Sequence, residues 1–150
     1  MSCEIDDDVI VRRELRVDAN AEVLWRAISE PGALAGWLAA EADLEMTPGG
    51  TGRFVDDDGV ERLAVVEQID EGRQLVFRWW PGEAGGWNAS RVSLTVVADG
   101  AGARLLVVEQ PTLPAGRIDA SALAGRAAGW NARLERLQLA ICGPVLAAVV

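Results

Sequence analysis

At 150 residues the chain has the length of one domain, and with half its residues hydrophobic and a quarter charged it needs no disulfide or metal to hold a core. A net charge of −9 and a pI near 4.5 disfavour a nucleic-acid partner, whose phosphates demand a basic footprint, and equally an anionic membrane surface. His and Tyr are absent and every cation is Arg, so a Ser-His-Asp triad, a His metal ligand, a Schiff-base lysine and a phenolic acid are excluded within this chain.

The first residues, Met1–Asp8, are acidic and lack the basic and apolar parts of a signal peptide; they read as a flexible N-terminus. Val9–Val17 alternates, with Val9, Val11, Arg13, Leu15 and Val17 on one side, and predicts a first strand. Asp18 is positioned as an N-cap for a helix over Ala21–Ser29, where Val23, Leu24, Ala27 and Ile28 recur at helical spacing. Pro31 opens a second short helix, expected to run to Leu38.

Strands separated by turn chemistry follow: Asp43–Met46, Gly52–Val55, Val60–Ile69, Gln74–Trp80, Asn88–Val97 and Ala103–Gln110. The breaks fall at Thr47-Pro48-Gly49-Gly50, at Asp56-Asp57-Asp58-Gly59, at Asp70-Glu71-Gly72, in the loop Pro81–Gly86 and at Asp99-Gly100-Ala101-Gly102. Such a series makes an antiparallel meander.

From Asp119 to Cys142 the period changes. Leu123, Ala127, Trp130, Leu134, Leu137 and Ile141 fall at three- and four-residue steps, while Arg126, Arg133, Glu135 and Arg136 lie mostly off that stripe. This predicts an amphipathic helix of about 24 residues, ~36 Å long, whose apolar side must lie on the sheet. The expected fold class is therefore α+β: a six- to seven-stranded antiparallel sheet gripping a long C-terminal helix, with two short helices after the first strand. The tail over 143–150 is apolar but far short of the ~20 residues that span a bilayer. It suits packing on the domain or on a second copy, which leaves a homodimer open. Cys3 and Cys142 have neither metal nor redox spacing and are expected to be separate thiols in a reducing cytoplasm, with a terminus-to-terminus disulfide as the alternative.

The order of these features resembles the START-like (SRPBCC, Bet v 1-like) superfamily, and within it the homologues of the activator of the heat-shock protein 90 ATPase. The resemblance is carried by Leu15–Ala19 with Glu22–Ala27, by Pro31 through Trp37, and by the Pro48-Gly49-Gly50 and Asp58-Gly59 turns. Glu67–Glu71 with Leu75–Trp79, then Ser90–Val92, Ala103–Leu105, and Trp130 with Leu134 and Leu137 complete it. It implies a helix-grip fold enclosing a hydrophobic cavity. As the resemblance implies, eukaryotic activators carry a separate N-terminal domain that supplies much of the chaperone contact; this chain, which begins almost directly with the first strand, is expected to depart from the family there.

Six tryptophans stand beside two Phe, and each reads as core filler or as cavity lining. Trp25 fits the core. Trp37 falls, by the resemblance, at the pocket mouth. Trp79 and Trp80 must face opposite ways, and the alternation Leu75–Phe77–Trp79 turns Trp79 inward; Trp87, after Gly85-Gly86, suits a lid. Two carboxylates sit on strand faces. Glu67 shares its face with Leu63, Val65 and Ile69, so an inward face would bury it against Arg53 or Arg78; Glu109 follows Leu105 and Val107 near a strand end. Each suits a structural ion pair, a ligand contact or an acid/base role.

The expected ligand-binding residues are Trp37, Glu67, Phe77, Trp79, Trp87, Glu109, Trp130 and Leu134. No catalytic residue, no cofactor and no metal is assigned: the Asp56–Gly59 stretch lacks calcium-loop spacing, and Gly49–Gly52 lacks a phosphate-binding pattern. Three functions stay open. The first is a non-catalytic protein binding an apolar small molecule in a cavity of ~300–1,000 Å³. The second is an enzyme resembling the aromatase/cyclases of the superfamily. The third is an interaction module in contact with a chaperone.

Overall fold

The computed structural model describes residues 11–56, 59–82, 89–111 and 129–141. β1 (Val11–Val17) leads into α1 (Ala21–Ser29) and α2 (Pro31–Leu34). Then come β2 (Glu41–Leu44), β3 (Thr51–Val55), β4 (Glu61–Asp70), β5 (Gln74–Pro81), β6 (Ser90–Asp99) and β7 (Gly102–Pro111), and finally a helix over 129–141, here α3. The seven strands form one antiparallel sheet in the order β1-β7-β6-β5-β4-β3-β2. From β2 to β7 it is an uninterrupted meander, and β1 closes onto β7 with Leu15 opposite Leu105. The helix-grip expectation holds: one continuous core joins α1, α2 and α3 to the inner face of the sheet.

Local chemistry sets the element ends. The cap of α1 is Asn20 and not Asp18: the Asn20 Oδ1 accepts the Val23 N–H at 2.9 Å, while Asp18 is held at 2.7 Å by Arg16. Leu24, Trp25 and Ile28 of α1 are buried, and the helix packs on β6 and β7. The second helix stops at Leu34, four residues short of expectation. Gly36 takes φ +102° and Ala35 bridges Ala39, so the chain folds back on itself and Trp37, Leu38 and Ala39 are buried outside any helix. The 59–60 and 70–73 turns use Gly59 and Gly72 at positive φ, as the Asp-Gly and Glu-Gly steps predict.

A β-bulge in β4 decides which face is which. Val66 pairs with Phe77 but Gln68 pairs with Val76, so Glu67 is the extra residue. One inserted residue reverses the parity of the strand. Ala64 and Val66 therefore face inward before the bulge and Ile69, opposite buried Leu75, after it. The expected single face of Leu63, Val65, Glu67 and Ile69 is split, and its first three members lie on the outer side.

Candidate functional site: a buried carboxylate among tryptophans

The inner ends of β5, β6 and β7, together with α3, bring four polar side chains into the core. Glu109, 3% exposed, sits on β7 opposite Val92 and Val11. Its Oε2 accepts the Trp79 Nε1–H at 2.9 Å and the Ser90 hydroxyl at 2.5 Å, and its Oε1 accepts the Trp130 Nε1–H at 2.8 Å. One carboxylate thus satisfies two indoles and a hydroxyl that would each cost about 1–3 kcal/mol if buried without a partner. It also ties α3 to three strands.

Aromatic faces surround this hub. Trp79 meets Phe54 and Phe77 edge-on at 5.7 and 5.4 Å, and Trp130 at 6.0 Å with its ring tilted by 36°. Leu134, one turn after Trp130, is buried in the same core. Arg133 lies between α3 and the sheet with its guanidinium 5.1 Å from each of the Trp79 and Trp130 rings. It donates to the Leu38 carbonyl at 2.8 Å and approaches Asp56 Oδ1 at 3.3 Å. Burial pushes the Arg133 guanidinium below its ordinary value, with Asp56 acting against that shift. Arg62, on the inner parity of β4, adds a second guanidinium 4.8 Å from Trp79 and pairs with Asp56 Oδ2 at 3.2 Å.

Of the expected ligand-binding residues, Phe77, Trp79, Glu109, Trp130 and Leu134 converge on this one region. Trp37 is fully buried further along the core, its Nε1 bonded to the Ala27 carbonyl at 3.0 Å. Glu67 is on the opposite side of the sheet, clamped between Arg78 and Arg91 at 2.7 Å each; Arg53 instead pairs with Glu61 and Glu41. Trp80 faces that side too, beside a shallow hollow of about 370 Å³ shared with Leu63, Val65 and Arg53. Trp87, both cysteines and the tail over 143–150 lie outside the described residues.

Sequence reasoning missed Ser90, Arg62, Asp56 and Arg133. Arg133 was expected off the apolar stripe, yet three residues after Trp130 and four before Leu137 it borders that stripe, and an apolar face wider than 100° takes it in. Arg62 shares parity with Ala64 and Val66, a signal usable only once the inward face of β4 is known. Asp56 opens the Asp-Asp-Asp-Gly turn and carries no further signal in the sequence. No sequence signal singled out Ser90. Among the described residues no cluster of three or more acidic, Cys or His side chains is arranged to hold a metal, and no helix is long and apolar enough to cross a membrane.

A sheet of seven antiparallel strands closing on helices around a tryptophan-lined core defines a helix-grip protein. The sequence pattern of the Activator of Hsp90 ATPase homolog 1-like protein family matches residues 18–141, and the chain belongs to that family. It is similar to DynU16, a protein of the dynemicin biosynthetic locus, with 27% identity and a TM-score of 0.77 over 91% of this chain and 48% of that one. The chain thus spans about half the length of DynU16. CalU16 from Micromonospora echinospora shares the fold at 21% identity and a TM-score of 0.69, covering 90% of this chain and 77% of that one. So does PFC0360w, an HSP90 activator from Plasmodium falciparum, at 16% identity and a TM-score of 0.71, covering 87% and 94%. Comparison with curated proteins found no match to the chain.

Proposed function

We propose that the protein binds a small, largely apolar molecule between the sheet and α3, in a groove that opens when Trp79 and Trp130 part. The observation that carries this reading is the Glu109 hub, in which a carboxylate, a hydroxyl and two indole N–H groups converge inside an apolar wall. Ligand sites combine an apolar lining with a few convergent polar groups in this way.

The aromatic rings of this region touch one another. A ligand therefore enters by parting Trp130 from Trp79, and the bonds to Glu109 set what that opening costs. Binding shifts the protein toward the parted state by as much as the ligand's preference for it.

The test is a titration of the purified chain with N-phenyl-1-naphthylamine, a neutral apolar fluorophore, read through quenching of tryptophan emission. Affinity on the order of 1 µM is expected, with Trp130→Phe and Trp79→Phe each weakening it about tenfold, or 1.4 kcal/mol. Circular dichroism confirms that both variants fold. Absence of binding, or binding untouched by both changes, overturns the reading.

A further inference from the structure

We infer that Arg62 and Arg133 form a seat for the carboxylate of a small organic acid, and that Asp56 fills that seat in the present structure. The inference deepens the groove reading, on which it rests for where the ligand's apolar body lies, by naming the chemistry of the ligand's polar end.

Two guanidiniums share one indole, at 4.8 Å for Arg62 and 5.1 Å for Arg133, and their like charges oppose each other. A carboxylate between them offsets that repulsion, and Glu109 adds to the effect at Arg133. Asp56 supplies the bridging carboxylate by splitting its oxygens, one to Arg62 Nε at 3.2 Å and the other to Arg133 Nη2 at 3.3 Å. Both distances exceed the roughly 2.7–2.9 Å of a good charge-assisted bond, and neither arginine receives the two-pronged contact its planar fork allows. Asp56 is thus a makeshift occupant.

The seat itself is preorganised. The Nε of Arg133 is anchored on the Leu38 carbonyl at 2.8 Å, and the rings of Trp79 and Trp130 flank its guanidinium. Side-chain exposure falls from 26% at Arg62 through 16% at Asp56 to 9% at Arg133, so a carboxylate arriving from solvent meets Arg62 first. Its apolar body would then lie along Trp79 and Trp130. Formal charge selects the class. A monocarboxylate carries the same single negative charge that Asp56 places between Arg62 and Arg133, which matches the seat better than a phosphate dianion.

The experiment follows the melting temperature of the full chain with sodium benzoate or benzyl alcohol, at constant ionic strength, in the native protein, Asp56→Asn and Arg62→Gln. Benzoate is expected to raise the melting temperature of the native protein and benzyl alcohol is not, because only a ligand of the folded state stabilises it. Asp56→Asn removes the internal competitor and should lower the half-saturating benzoate concentration about threefold or more; Arg62→Gln should abolish the response. Equal shifts with benzoate and benzyl alcohol overturn the seat. So does an Asp56→Asn protein that is less stable without binding benzoate more tightly, the result a purely structural ion pair would give. If N-phenyl-1-naphthylamine binds but benzoate holds no advantage over the alcohol, the seat fails and the groove stands. If benzoate stabilises through Arg62 while the fluorophore does not bind, the groove reading fails and the seat stands.

Discussion

Two indole N–H groups and one hydroxyl end on a single carboxylate at Glu109, so that residue's removal strands three donors at once. Glu109→Ala is expected to cost about 3–5 kcal/mol, since each buried unsatisfied group costs about 1–3 kcal/mol and some relaxation occurs. Glu109→Gln keeps one acceptor oxygen but turns its NH2 toward the donor on the other side, so it should cost less than Ala, about 2–3 kcal/mol. Urea unfolding at unchanged slope checks both; equal losses for the two variants would show that charge, not acceptor count, holds the hub. Glu67 offers a contrast because it is half-exposed between Arg78 and Arg91, which face each other across β5 and β6. Glu67→Gln leaves two like charges opposed and should cost about 1 kcal/mol at low salt. The deficit should shrink in 0.5–1 M NaCl, where the Debye length falls to only about 3–4 Å. A salt-independent loss would contradict this account. The two glutamates looked alike in sequence, each on a strand beside Val and Leu. The β4 bulge separates them, and nothing in the residue order announces it.

At the scale of elements, the β2–β3 connection relies on a close approach. A Cβ on Gly50 would fall 2.2 Å from the Glu45 carbonyl and 2.9 Å from that of Thr47, both backbone atoms that cannot step aside. Gly50 also donates to Thr47 at 2.7 Å and accepts from Val66 at 2.8 Å, which locks the turn to β4. Gly50→Ala is therefore expected to cost more than about 2 kcal/mol, whereas Gly32→Ala, with open space around it, should be near neutral; paired thermal melts decide. The Pro-Gly-Gly turn was legible from the chain, but which glycine is indispensable depends on how tightly Glu45 folds back. The short α2 teaches the same lesson. A proline start was readable, while its early stop follows from the Ala35–Ala39 bridge, a pairing beyond any helical pattern.

Across the whole molecule, β1 and β7 pair residues about ninety positions apart, as with Leu15 and Leu105. That closure must form late and at a high entropic cost, and it predicts folding in milliseconds to seconds, not microseconds. Stopped-flow tryptophan fluorescence tests it, and a sub-millisecond single phase would contradict it. Periodicity and turn chemistry, which act over a few residues, suffice for the element series, the antiparallel meander, the helix-grip class and the inward turn of Trp79 against the outward turn of Trp80. The bond between Glu109 and Trp130, the burial of Arg133 and the Asp56 bridge between Arg62 and Arg133 arise in the assembled fold alone. Apart from Asp56 and Arg62, six positions apart, those contacts join side chains 21 or 77 positions apart, and the inserted Glu67 shifts the register of β4. The distances and faces that create them exist only once the sheet has closed on α3.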